Sequence, residues 1–186
     1  AMVFPDPRCH GRKTVGLIGF YFPGIEEEWD RICGASFLGN FYDLGPERLE
    51  IRARGADGKE TSRSFRNAEA AFQALKFWDN AEEFSELTGG EAFTLKQRFA
   101  GHEDRSYGGK GSNWCGMMAV LKEKFSLRKH HRFAEMLLAT GDAFLLEHNA
   151  IVGRDKVWSD NCDGEGVNWL GLMLMLIRDE LSAGDC

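Results

Sequence analysis

The apolar and polar positions of this chain fall into three kinds of pattern. Leu49-Glu50-Ile51-Arg52-Ala53-Arg54 alternates strictly and predicts a half-exposed strand, followed by the polar turn Gly55 to Lys59. Val15 to Phe22 is a continuous apolar run closed by Pro23-Gly24, which predicts a second strand. Asn67 to Trp78 is Ala-, Leu-, Glu-, Gln- and Lys-rich, has no Gly or Pro, and opens on an Asn suited to capping, so it predicts a helix. Between Ala68 and Trp78 the strongly polar residues are Glu69, Gln73 and Lys76. At i, i+4 and i+7 they form one narrow stripe, and every other face is Ala, Phe, Leu or Trp, which predicts burial on most sides.

Further helices are predicted at Glu82–Leu87, after a Gly89-Gly90 break through Phe99, at Met117–Phe125, at Phe133–Ala139 before Thr140-Gly141, and at Trp169–Leu181 with Asn168 as its cap. The Gly39-Asn40 pair inside Phe37–Tyr42 reads as a hairpin turn between aromatic arms. Gly101 to Ser112 reads as a mobile loop over a site, and residues 1–15 as a loosely ordered lead-in. The fold class expected is α+β and mostly helical, with a few short N-terminal strands and a multi-helix core. At 186 residues, 43% apolar, one domain over 16–182 is the expected organisation.

Charge and cysteines narrow the chemistry. A net charge of −6 disfavours affinity built mainly on neutralising many nucleic-acid phosphates, although a local basic patch stays open. Lys122 to Arg132 is the most basic run, and a solvated helix face explains it adequately. Five widely spaced cysteines without a CxxC pair point to reduced thiols and away from structural zinc. With neither a membrane-length apolar run nor a signal-type N-terminus, an intracellular protein, cytoplasmic or nuclear, is expected, as a monomer away from membranes. No metal and no cofactor are expected.

Two tempting motifs fail. Gly108-Gly109-Lys110-Gly111-Ser112 lacks the spacing and the residue after Lys that a phosphate loop needs. Asp160-Asn161-Cys162-Asp163-Gly164-Glu165 puts Cys162 and Gly164 where a calcium loop needs Asp or Asn. The stripe itself has two readings. It faces water, with modest i,i+3 and i,i+4 interactions, or it faces a cavity. In the second case Lys76, held among Phe72, Phe77 and Trp78, loses solvation and becomes a neutral amine able to attack a sugar or carbonyl carbon, while Glu69 opposes that change.

The Glu69-x3-Gln73-x2-Lys76 stripe resembles a signature of the NADAR superfamily, which includes the YbiA-like N-glycosidases. Further segments follow in the family's order: Leu38-Gly39-Asn40-Phe41-Tyr42, Asn113-Trp114, Leu137-Leu138-x-Thr140-Gly141, Trp158-x-Asp160, and Gly166-x-Asn168-x-Leu170-Gly171 with Leu174-Met175. Gly39, Ala70 and Ser159 depart from the family's usual Ser, His and Gly. The likeness spans Phe37 to Leu181.

The resemblance implies an N-glycosidase that splits a ribosyl–base bond and acts on an ADP-ribose-containing nucleotide or ADP-ribosylated nucleic acid, releasing ADP-ribose from modified guanine. In that scheme Lys76 is the nucleophile through a Schiff base, and Glu69 and Asp160 handle protons or fix ribose hydroxyls. Trp114 and Trp158 stack on the flat end, and Asn40 and Gln73 meet polar edges. Phe41 or Tyr42 walls the ligand, and Asn168 and Gly171 complete the binding set. Phosphorylated riboflavin-biosynthesis intermediates are the alternative substrates, and a non-catalytic ADP-ribose reader is the alternative class.

Overall fold

The computed structural model describes residues 2–5, 14–21 and 24–184, and the chain divides into two units, Ala1–Gly39 with Arg132–Cys186, and Asn40–His131. The first unit holds a three-stranded sheet in the order β1-β2-β5, formed by β1 (Met2–Pro5), β2 (Thr14–Phe20) and β5 (Phe144–Glu147). β1 runs antiparallel to β2, Met2 opposite Leu17, whereas β5 runs parallel to it, Ile18 opposite Leu145. Part of the expected lead-in is therefore a strand, and residues 6–13 lie outside the described residues.

Helix α1 (Glu28–Cys33) packs on β2, and Gly19 is the reason it approaches so closely: a Cβ there would fall 2.2 Å from the Trp29 ring. Helix α5 (His131–Leu138) ends at Thr140-Gly141 as expected, and helix α6 (Trp169–Ala183) packs on β5. The Arg178 guanidinium of α6 donates to Thr140 Oγ1 at 2.7 Å and Ala143 O at 2.9 Å, tying α6 to the turn that follows α5.

The second unit starts from a β-hairpin, β3 (Leu49–Arg54) with β4 (Glu60–Phe65), Leu49 opposite Phe65. The alternation in β3 buries Leu49, Ile51 and Ala53 and exposes the charged positions, as the pattern requires. Helices α2 (Ala68–Ala74), α3 (Gly89–Arg98) and α4 (Asn113–Lys124) follow, with a 3-10 helix at Trp78–Phe84. Phe77, Phe84 and Phe99 cluster, with ring centroids 5.3 to 6.1 Å apart. Among the described residues no helix is long and apolar enough to cross a membrane, and Cys33, Cys115 and Cys162 are free thiols.

Several local expectations change. Phe37 and Leu38, both buried, belong to a 3-10 turn, Ser36–Leu38, and Phe37–Tyr42 forms no hairpin. The helix expected to reach Trp78 stops at Ala74, where the backbone turns to i→i−3 bonds from Lys76 and Phe77. The expected acidic helix from Glu82 gives way to the 3-10 helix that begins at Trp78. The Gly89-Gly90 pair opens α3 instead of breaking the chain, since Thr88 and Glu91 form a capping box around it.

The loop expected to be mobile is tied down. Asp104 N–H donates to Lys76 O at 2.8 Å, and the Asp104 carboxylate accepts from the Ser106 and Gly108 N–H groups at 2.7 and 2.8 Å. The basic run is not wholly solvated, since Lys124 is fully buried with its amine 5.3 Å above the Phe125 ring, and His130 is buried beside Glu47.

Asn168 occupies the residue before α6 but does not cap it. It adopts a left-handed φ of 50°, and its side chain serves β5, accepting from Glu147 N–H at 3.0 Å and donating to Leu145 O at 2.9 Å. Gly171, one turn on, lets α6 reach that strand, because a Cβ there would sit 2.1 Å from Leu145 O and 2.5 Å from Asn168 Nδ2. Gly171→Ala is expected to lower stability by about 1–3 kcal/mol through this overpacking. Urea unfolding measures it, and an unchanged midpoint would contradict the packing described.

Candidate functional site

The stripe of α2 is inside the protein, on a helix that leaves almost nothing else polar. Asn67 caps it, its Oδ1 accepting from Ala70 N–H at 2.8 Å and its Nδ2 donating to Leu87 O at 2.9 Å. Glu69 is 6% and Gln73 3% exposed, which rules out the reading in which the stripe faces water. Gln73 Nε2 donates to Glu69 Oε1 at 2.7 Å, and Lys76 Nζ donates to Gln73 Oε1 at 2.8 Å. The carboxylate, the amide and the amine thus stand in one line, the amide between the two charges.

Lys76 reaches this position because the helix has ended. Its N–H bonds Gln73 O at 3.0 Å, and in such a 3-10 turn side chains at i and i+3 eclipse. The amine lies 4.8 Å from the Phe72 ring centroid and 5.9 Å from that of Tyr107, and these two rings stack on each other at 5.5 Å. Phe72 lies beside the amine as expected; Phe77 and Trp78 line the same cavity as Lys76 while also packing into the core, Phe77 against Phe84 and Trp78 against Phe65 with its indole N–H on Thr61 Oγ1. Tyr107 was not foreseen, since it reaches Phe72 through a left-handed φ of 54° in the loop. Only its place in a Gly-rich segment hinted at it.

Burial lowers the Lys76 amine from 10.5 to about 8, with the positive charge of Lys96 acting in the same direction and Glu69 and Glu103 opposing it. The lowered value makes the neutral, nucleophilic amine far more populated near neutral pH than in an ordinary lysine, although the protonated form still predominates at pH 7. A cavity of about 680 Å³ adjoins the same segment, lined by Arg54, Lys76, Trp78, Asp79, His102 and Glu103 among others.

Asn40 precedes α2 in the same unit. Its carbonyl accepts from Glu69 N–H at 3.0 Å, while its side-chain Oδ1 is buried with no hydrogen-bond partner among the described residues. A buried amide oxygen without a donor is costly, so this one is a ready acceptor for a ligand N–H or O–H. Phe41 packs on the first turn of α3, where a Cβ at Gly89 would meet its ring at 2.6 Å, and Tyr42 is half-buried. Trp114 lies half-buried in the first turn of α4.

In the first unit Asp160 is held on all sides. Its Oδ1 accepts from the N–H groups of Asn149 and Cys162 at 3.0 and 2.9 Å, its Oδ2 lies 2.9 Å from His148 Nδ1, and its own N–H donates to Glu147 O. Trp158 is half-buried and meets Trp169 edge-on at 5.8 Å. Asn168 and Gly171 are engaged with β5, as described above. Among the described residues no group of three or more His, Cys, Asp or Glu is placed to hold a metal ion.

The chain belongs to the NADAR domain family, whose model matches residues 29–182. It is similar to a riboflavin biosynthesis protein of Vibrio vulnificus, 43% identical over 65 residues, 35% of this chain and 16% of that protein. It is also similar to the N-glycosidase YbiA of Escherichia coli, 38% identical over 66 residues, 36% of this chain and 38% of that protein. These matches cover less than half of either relative's length. The solved structure of Escherichia coli YbiA shares the fold, with a TM-score of 0.62 and 22% identity over 92% of this chain and 89% of that one.

The sign of the pH effect follows from the direction of the Lys76 shift. The folded value lies below the unfolded one, so the cost of burying the ammonium is fully present below about pH 8 and is relieved as the pH rises to 10.5. Labelling of Lys76 by an amine-reactive reagent, followed by peptide mass spectrometry, is expected to rise with a midpoint near pH 8. Lys96→Met should move that midpoint upward. A native midpoint at the ordinary 10.5 would refute the described environment.

Proposed function

We propose that the chain is an N-glycosidase that breaks a C1′–N bond between a ribose and a base, using Lys76 as nucleophile. The observation behind this is the amine itself: Lys76 is desolvated, lowered to about 8, and held by a neutral amide oxygen instead of a carboxylate. An amine needed only for an ion pair gains nothing from that environment. Family membership and the name of the Escherichia coli relative support the reaction class.

The Lys76 lone pair forms a bond to C1′ as the C1′–N bond breaks, and its electrons leave with the base, which takes up a proton. The sugar ring opens, giving a Schiff base between Lys76 and C1′ with a proton on O4′. Water then adds to C1′, and the amine departs with a proton, leaving the ribose unit, with its remaining substituents, as an aldehyde that recloses. Glu69 and Asp160 are assigned the proton transfers or the ribose hydroxyls. Trp114 and Trp158 are assigned the stacking, with Asn40 and Gln73 on polar edges.

The substrate we favour is ADP-ribosylated guanine in nucleic acid or nucleotide, with release of ADP-ribose. The second reading, a phosphorylated riboside intermediate of riboflavin biosynthesis, is favoured by the name of the Vibrio relative. Mass spectrometry of the products from ADP-ribosylated guanine DNA and from such an intermediate, run side by side, decides between them. Tight ADP-ribose binding with no base released from any N-riboside would instead make the protein a reader.

Lys76→Ala is expected to abolish base release, at least about a hundredfold, and to remove a borohydride-trappable adduct that maps to Lys76 in the native enzyme. Full turnover by Lys76→Ala would sink the nucleophile assignment.

A further inference from the structure

Among the described residues, His148 is the side chain that hydrogen-bonds the Asp160 carboxylate on the oxygen left open by the backbone. It follows β5 directly, and its N–H donates to Phe20 O at 2.9 Å, continuing the β2–β5 ladder by one residue. Its backbone is therefore as fixed as the sheet. Its ring is fixed as well, because Trp29 meets it edge-on at 4.6 Å and Trp29 is itself seated against Gly19. The two side chains are 14% and 11% exposed, so the contact is largely shielded from water.

We infer that His148 is a positioning residue for Asp160, setting the plane of its carboxylate through an Nδ1–H···Oδ2 hydrogen bond. The inference rests on the reading in which Asp160 takes part in the reaction. Both backbone N–H groups, from Asn149 and Cys162, bind the same oxygen, Oδ1. Two donors on one oxygen, with the covalent tether at Cβ, hold Oδ1 but leave Oδ2 some swing about the Cβ–Cγ bond. The third contact, on Oδ2, removes that freedom and leaves one lone-pair direction of Oδ2 for a reacting group. A ring nitrogen facing a carboxylate oxygen is the donor, which assigns the proton to Nδ1.

Charged groups surround the pair: Glu147 adjoins His148 in the chain, and Arg154, Asp155 and Glu147 act with Asp160 on the Tyr21 hydroxyl. Asp30, on α1 beside Trp29, is 2% exposed with one oxygen buried and unpartnered among the described residues; burial raises its carboxyl, and both His148 and Asp160 act on its charge. Asp30→Asn thus serves as the control for an effect that is electrostatic and not geometric.

The experiment compares His148→Phe, which keeps a ring against Trp29 but has no donor, with His148→Asn, whose amide N–H stands near the place of Nδ1. His148→Phe is expected to lower kcat by about ten- to a hundredfold with KM within about twofold, and His148→Asn to recover most of that loss. In the double variant His148→Phe with Asp160→Asn, the two losses should not add. Native kcat in His148→Phe, or additive losses, overturns the inference.

Failure of the underlying reading looks different: Asp160→Asn would then keep its turnover. A readout free of activity stands beside these. Proton NMR of the native protein should show a slowly exchanging His148 Nδ1–H that disappears in Asp160→Ala, and its absence from the native spectrum overturns the inference whatever the substrate proves to be.

Discussion

The hydrogen bond from Lys76 Nζ to Gln73 Oε1 is the interaction on which the rest of the site depends. A lysine buried beside a carboxylate forms an ion pair, and the pair keeps its proton. Here Gln73 stands between, spending its N–H on Glu69 and its oxygen on Lys76, so the two charges are kept an amide apart. Coulomb attraction falls with distance, and desolvation then outweighs it. That ordering agrees with the lowered amine, for which burial is the first cause and Glu69 an opposing one.

This arrangement asks the backbone for something a continuous helix would not supply. In an α-helix Gln73 and Lys76 are i,i+3 neighbours offset around the axis, whereas the 3-10 turn after Ala74 brings them into eclipse. The turn exposes carbonyls that must be met, and Asp104 N–H meets that of Lys76. The loop from 101 to 112 is therefore held to the helix end by the same residue whose amine it shields through Tyr107.

How much of this was legible follows the range of the forces involved. The stripe on α2, the cap at Asn67 and the alternation of β3 rest on local periodicity, and all three are read from the sequence alone. The end of α2 was not, because no Gly or Pro marks it, and the bond that meets its exposed carbonyl comes from Asp104, far along the chain. β5 was missed for a similar reason: four residues carry little pattern, and its place depends on β2 and on the Asn168 side chain. That same engagement gives Asn168 and Gly171 structural duties the motif could not disclose. Tyr107 and His148 depend on a positive φ and on a partner twelve residues away, neither of which a spacing rule contains.

Two features at α2 work against stability. Asn40 Oδ1 is buried without a donor, and the Lys76 ammonium is desolvated below about pH 8. Each could be relieved by a single change, a donor placed near Asn40 or a Met in place of Lys76, and neither has an evident role in holding the fold, since Asn67 and the core phenylalanines do that. Both sit at one short helix, one just before its start and the other just after its end. Unfavourable groups gathered at one helix, with the packing around them complete, are what a site built for a ligand requires and what a core helix has no reason to keep.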